Sequence, residues 1–159
     1  MQRWGFTYPL DAVPLPAHRE VLRQAESLGY TDAWTAEVDQ LDGFVPIAPA
    51  ALWTETMRFG TAIANVFTRG PALLAQQASA VAEIAPGRFV LGVGASSPAI
   101  VESWNGIELR KPLERVRIAA RRPRRLLRDR DDLRHVVRAQ PVDDHAVALA
   151  ARQLEHLLA

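Results

Sequence analysis

Four apolar, strand-like runs begin near residues 3, 31, 57 and 88, and a stretch of helical periodicity follows each of the first three. That even alternation constrains the chain more than any other feature. A strand that must reach a parallel neighbour needs a crossover, and a helix is the usual one, so the repeat predicts a parallel sheet built from right-handed strand-helix-strand units. The first run is Arg3 to Tyr8, and the helix after it, Leu15 to Leu28, carries Val21, Leu22, Ala25 and Leu28 on one face before Gly29 stops it. Thr31 to Ala36 reads as the second strand and Phe44 to Thr56 as an apolar helix with Pro46 in its first turn. Arg58 to Val66 is the third strand. Its helix opens at Pro71 and runs to Ala85 with Leu74, Ala78, Val81, Ala82 and Ala85 in one stripe. Pro86-Gly87 ends that helix, and Arg88 to Gly94 is an apolar run of the kind expected of a strand covered on both faces. An open doubly wound sheet and an eight-stranded barrel both fit four such units. Four units do not close a barrel.

Charge divides the chain in two. Residues 1–109 hold six Arg against eleven Asp and Glu, whereas residues 110–159 hold thirteen Lys and Arg against seven acids. The second part also lacks every Phe, Trp, Tyr, Gly, Ser and Thr, residues on which turns and packed cores draw. A boundary is therefore expected near residue 109, followed by an Arg-rich helical or disordered tail. Within that tail, helices are expected from Leu113 toward Leu127, interrupted by Pro123, and from Asp143 to Leu158.

Several function classes drop out on composition. No uncharged stretch approaches the ~20 apolar residues that a membrane-spanning helix needs. With zero Cys there is no thiolate chemistry and no disulfide framework, and together with an N-terminus unlike an export signal this predicts a cytoplasmic protein. Between Arg110 and Arg138 twelve Lys and Arg face four acids, but the aromatic platform of a single-strand nucleic-acid binder is absent, so no nucleic-acid partner is expected. His135, His145 and His156 match no metal-site spacing, and no metal is expected.

In parallel α/β architectures chemistry gathers where strands end and helices begin. That rule selects Tyr8 and Asp11 after the first strand, and Glu37, Asp39 and Asp42 after the second. It adds Asn65, Thr68 and Arg69 after the third, and Ser96 and Ser97 after the fourth. Each of them could equally be a helix cap or a solvated loop residue. The turn Gly92-Val-Gly-Ala-Ser-Ser-Pro98 would let backbone approach a ligand and offer N–H groups to it, yet it lacks the third glycine and the position of a dinucleotide fingerprint.

Ordered motifs carry a family resemblance. Trp34-Thr-Ala-Glu37 with Asp42-Gly-Phe44, then Gly60-Thr-Ala-Ile63 and Thr68-Arg-Gly-Pro71, are followed by Ala85-Pro-Gly-Arg-Phe-Val-Leu-Gly-Val-Gly-Ala-Ser-Ser97 and Glu102-Ser-Trp-Asn-Gly106. Over about residues 3–117 the chain resembles the luciferase-like monooxygenase superfamily, and among its branches it is most similar to the oxidoreductases that use coenzyme F420. The resemblance implies a TIM barrel of which only the first four strand-helix units are present. It implies hydride transfer or monooxygenation of a small organic substrate, with F420 as cofactor and FMN as the alternative. It also implies a homo-oligomer.

Carried over by position, the resemblance makes Glu37 the acidic pocket residue that bonds to, or exchanges a proton with, substrate. It places a non-prolyl cis peptide at Asn65-Val66 behind the cofactor ring, and it sets Val93, Gly94, Ala95 and Ser96 at the strand end nearest that ring. Val93 and Ala95 stand where some relatives carry hydroxyl or carboxylate groups, so the fourth strand is left with shape and backbone contacts. Loops of the second half of the barrel, which hold the cofactor phosphate in the family, have no counterpart here. The motifs fade after Arg117, and a frame change or truncation is expected there. The alternative reading is a noncatalytic half-barrel that folds by self-association and does not turn over alone.

Overall fold

The computed structural model describes residues 3–39 and 41–126. Its centre is a four-stranded, fully parallel sheet of β1 (Gly5–Thr7), β2 (Asp32–Thr35), β3 (Arg58–Thr61) and β5 (Phe89–Val90), in that order across the sheet. Two shorter strands, β4 (Ala64–Asn65) and β6 (Val93–Gly94), form a second parallel pair just beyond β3 and β5. The crossovers are α1 (His18–Ser27), α2 (Ile47–Trp53) and α3 (Pro71–Ile84), and α4 (Pro112–Leu126) follows the last strand. This is the α/β architecture that the alternation predicts.

Strand register sorts the side chains by face, since successive residues of a strand point to opposite sides. Ala33 with Phe59, and Thr35 with Thr61, fall on one face, are buried, and pack toward the helices. Gly5, Asp32 and Arg58 lie abreast on the other face, with Trp34 and Gly60 one step further along. A Cβ on Gly60 would meet Trp34 Cε3 at 2.7 Å and the Val90 carbonyl oxygen at 2.9 Å, so the indole lies flat where any side chain would stand. One continuous core runs under the helices, with Tyr8, Leu22, Ile47, Met57, Phe59, Leu74, Phe89 and Val101 among its members.

Several elements differ from their sequence-based extents, each for a local reason. The first helix opens with a 3-10 turn over Leu15–Ala17 because prolines at 14 and 16 remove amide donors there. The second helix begins at Ile47, not Phe44, since the Asp42 carboxylate accepts the N–H groups of Phe44 (2.8 Å) and Val45 (2.7 Å) and holds them in a turn. It ends at Trp53, where Thr54 is extended and Arg88 donates to the Ala51 carbonyl at 2.8 Å. The third and fourth strands are each broken. A cis peptide joins Ala62 and Ile63, and the Thr61 hydroxyl bridges the gap by donating to the Gly92 carbonyl (2.7 Å) and accepting the Gly92 N–H (3.0 Å). Gly92 has no room for a Cβ, which would strike the Thr61 carbonyl oxygen.

The cis peptide therefore lies three residues before the Asn65-Val66 position expected for it, and Val66 instead pairs regularly, its N–H donating to the Gly94 carbonyl at 3.0 Å. Val90 and Val93 are half-buried, so the fourth strand is not covered on both faces among the described residues. After it, Ala99–Trp104 forms a π-helical turn that the periodicity did not announce. Pro123 does not interrupt α4, which continues to Leu126 although an interior proline forfeits one backbone bond and crowds the carbonyl four residues back. Ala119 of α4 is buried in the common core, so the helix that begins just after residue 109 packs with the sheet units. The helix expected over Asp143 to Leu158, and His135, His145 and His156, lie outside the described residues.

Candidate functional site

A pocket of about 260 Å³ opens at the carboxyl ends of the strands, lined by residues that include Glu37, Asp42, Asn65, Arg69, Ile100 and Trp104. It is the rim that the strand-end rule selects. Glu37 follows β2, Asn65 ends β4, Arg69 lies on the turn into α3, and Trp104 ends the π-helical turn.

Arg69 is the hub of the polar wall. Its Nε donates to Glu37 Oε1 at 2.6 Å, its Nη2 to Asp42 Oδ2, and its Nη1 to Gln77 Oε1 at 3.2 Å, while its guanidinium carbon sits 5.2 Å from the centroid of the Phe44 ring. Burial opposes the charge on Arg69, but the Glu37 and Asp42 carboxylates outweigh it and raise its pKa above the ordinary value. Asp42 shifts the other way. Burial works against its ionised form, and the Val45 and Phe44 amides with Arg69 overcome that and hold it below the usual range. Glu37 uses both oxygens, since Oε2 accepts the Asn65 backbone N–H at 2.8 Å. Gly43 keeps room for it: a Cβ there would lie 2.9 Å from Glu37 Cγ.

Asn65 carries the most informative atom. The residue is 1% exposed, its Oδ1 accepts the Phe67 N–H at 2.9 Å, and its Nδ2 has no hydrogen-bond partner among the described residues. Because Oδ1 is fixed by an amide donor, the orientation of the side chain is determined by the network. A buried donor left unpaired costs about 1–3 kcal/mol, and such groups are rare in folded proteins. Asn65 itself is part of the pocket lining. A planar heterocycle with carbonyl acceptors on its edge is a group whose chemistry matches that donor.

The remaining sequence-predicted residues separate into two groups. Glu37 and Asn65 come together in the pocket, joined by a hydrogen bond. Gly94 pairs in register with Asn65, and its missing side chain leaves room for Ile63, whose Cγ1 would stand 2.9 Å from a Cβ. Val93, Ala95 and Ser96 continue that strand end, half-buried, with Ser96 at a φ of 62°. The Val66 side chain is buried in the core. Tyr8 is structural: burial raises its pKa, and its hydroxyl donates to the Pro46 carbonyl at 3.0 Å. His18 is equally internal, its Nε2 accepting the Leu10 N–H at 2.8 Å and its Nδ1 facing the Pro14 carbonyl.

Gln77, Ile100 and Trp104 were not singled out as site residues in the sequence. The available signal for Gln77 was a polar residue beside the buried Leu74–Ala78 stripe of α3, which ordinarily marks a helix surface. Among the described residues no cluster of three or more acidic or His side chains could hold a metal ion, and no helix is long and apolar enough to cross a membrane.

Parallel strand-helix units with a polar pocket at the strand carboxyl ends place the chain in the class of parallel α/β folds whose ligand sites gather at that end. The chain belongs to the luciferase-like monooxygenase family, whose model matches residues 5–155, across residue 109 and beyond Arg117 where the ordered motifs end. A Mycobacterium tuberculosis protein named "Putative coenzyme F420-dependent oxidoreductase" is 35% identical over 114 residues, covering 72% of this chain and 31% of that protein. The 5,10-methylenetetrahydromethanopterin reductase of Methanolobus tindarius is 32% identical over 106 residues, 66% of this chain and 32% of that one. The chain thus spans about a third of the length of these relatives. Among solved structures, an F420-dependent secondary alcohol dehydrogenase in complex with an F420-acetone adduct superimposes with a TM-score of 0.67 at 19% identity, covering 78% of this chain and 41% of that one. The oxygenating constituent of 3,6-diketocamphane monooxygenase from Pseudomonas putida, in complex with FMN, gives 0.64 at 21% identity, with 75% and 38% covered. At these identities the likeness shows the fold.

Proposed function

We propose that the pocket receives the ring of a deazaflavin or flavin, F420 in the first place and FMN as the alternative, in an oxidoreductase acting on a small organic substrate. The observation that carries this reading is the unpartnered Nδ2 of Asn65, a buried donor at the strand ends with no partner among the described residues. The family and the cofactors named for its relatives support it. When bound, such a cofactor supplies two-electron chemistry, while the protein supplies orientation and electrostatics. Asn65 donates to an acceptor on the ring edge. Glu37 forms the acidic wall of the same pocket, and we assign it the contact with substrate, as acceptor or proton carrier. The strand end Val93 to Ser96 is not part of the pocket lining, and we assign it backbone contacts to the cofactor from beside Asn65. Ile100 and the half-exposed Trp104 add an apolar side to the otherwise polar lining.

Titration of the chain with F420 and with FMN, followed by absorbance and fluorescence, tests the proposal. Saturable binding is expected, tighter for F420. Asn65→Asp keeps the acceptor for the Phe67 amide and replaces the donor by an acceptor, so it weakens binding about tenfold or more. No spectral change with either cofactor, in a sample that melts cooperatively, defeats the reading. The same reading takes the protein to be a cytoplasmic homo-oligomer, for which light scattering at several concentrations gives the assembly size.

A further inference from the structure

We infer that Arg69 is a positioning residue for the cofactor pocket: by gripping Glu37, which in turn holds the Asn65 peptide, it sets the direction of the unpartnered Asn65 donor in the pocket wall. The inference rests on the cofactor reading and deepens it.

The chain of bonds is short. Arg69 Nε reaches Glu37 Oε1 at 2.6 Å, Glu37 Oε2 accepts the Asn65 N–H at 2.8 Å, and the Arg69 N–H returns to the Asn65 carbonyl at 3.2 Å. Asn65 is therefore held on its amide side by Glu37, which the Arg69 guanidinium grips, and on its carbonyl side by the Arg69 backbone N–H. Its side-chain torsion is fixed independently by Phe67, so the direction of Nδ2 follows the backbone that Glu37 and Arg69 set. The same guanidinium joins three elements of the rim: the loop after β2 through Glu37 and Asp42, the turn after β4, and α3 through Gln77. Its side chain is only 17% exposed, and its named partners are protein oxygens. A surface ion pair in water contributes little, but a forked guanidinium enclosed by fixed acceptors and an aromatic ring defines geometry. A lysine in this place supplies the charge without the fork. One cation also stands between two carboxylates here, so its loss sets Glu37 and Asp42 against each other and opens the loop on which the pocket depends.

The experiment compares wild type, Arg69→Lys, Arg69→Ala and Asp32→Asn in the full chain. F420 and FMN affinities are measured by fluorescence titration, thermal midpoints by circular dichroism, and the Asn65 side-chain amide resonances by NMR without cofactor. Arg69→Lys is expected to fold, to move the Asn65 amide resonances, and to weaken cofactor binding about fivefold or more. Millimolar guanidinium is expected to restore part of the binding lost in Arg69→Ala. Asp32→Asn, at the far end of the sheet, is expected to lower the melting midpoint and leave affinity unchanged. Affinity of Arg69→Lys within twofold of wild type, with unmoved Asn65 resonances, overturns the inference while leaving the cofactor reading intact. So does an Asp32→Asn variant that loses as much affinity as Arg69→Lys, because the effect is then general destabilisation. Absence of binding by wild type overturns both.

Discussion

Two charged clusters stand at opposite ends of the same sheet with inverted composition. At the amino ends of the strands, one carboxylate, Asp32, is gripped by two guanidiniums: Arg3 Nε at 2.9 Å and Arg58 Nε at 2.6 Å. At the carboxyl ends one guanidinium, Arg69, is gripped by two carboxylates, Glu37 and Asp42. The Asp32 cluster is closed, since its acidic side chain is 4% exposed and Arg3, Arg58 and the Thr31 hydroxyl all donate to it. The Arg69 cluster borders a pocket and adjoins a buried donor with no partner among the described residues. In barrels of parallel strands the amino face serves stability and the carboxyl face chemistry. Here the difference is visible in which polar groups are left unsatisfied.

The largest effect that separates the two ends is expected from Asp32→Ala, which leaves Arg58 without its carboxylate and removes the pairing across β1, β2 and β3. A loss of about 2 kcal/mol is expected, below the range for fully buried pairs because both arginines reach water. Urea unfolding measures it, and the unchanged F420 affinity of the variant marks the amino end as structural.

Acid should act on both clusters with the same sign. Burial raises the Asp32 pKa, and the bonds from Arg3, Thr31 and Arg58 reverse that and leave it below the ordinary value, as the amides and Arg69 do for Asp42. A depressed folded-state pKa gives stability that is complete above the unfolded value of about 4 and is lost as pH falls through the folded one. The melting midpoint is therefore expected to stay level from about pH 7 to 5 and to decline below about pH 4. In Asp32→Asn the decline is shallower, so the gap between the variant and wild type narrows on acidification. A gap that widened would assign the acid sensitivity to other groups.

Gly43→Ala tests the carboxyl end by sterics alone. The added methyl presses on Glu37, and a few-fold loss of cofactor affinity is expected with less than about 1 kcal/mol of stability, since a side chain gives way more readily than backbone. Arg3→Lys is the smallest change. Arg3 is 51% exposed, so melting should register about 0.5 kcal/mol or less and binding nothing.

Much of this was legible in the sequence because it is local or periodic. Alternating strand and helix patterns mark all three crossover helices, Gly29 and Gly87 take positive φ where turns require it, and the place after strands selects Glu37 and Asn65. The breaks at Thr61 and Gly92 were not legible, since one hydroxyl bridging two strands depends on their register, which no run of apolar residues encodes. Pro46 and Asp42 look like features of a helix start in the sequence, and only the turn that Asp42 closes shows why α2 begins later.

The sequence by itself determined the units, their order and the rim where polar residues gather, because hydrophobic periodicity and turn chemistry act between near neighbours. Tertiary structure alone decided which of those polar residues satisfy one another. Arg69 lies 32 positions from Glu37, and the bond between them exists because two parallel strands bring their carboxyl ends to one place. The same packing leaves Asn65 Nδ2 buried and unpaired, for an unmet hydrogen bond is a property of surroundings and not of a residue type.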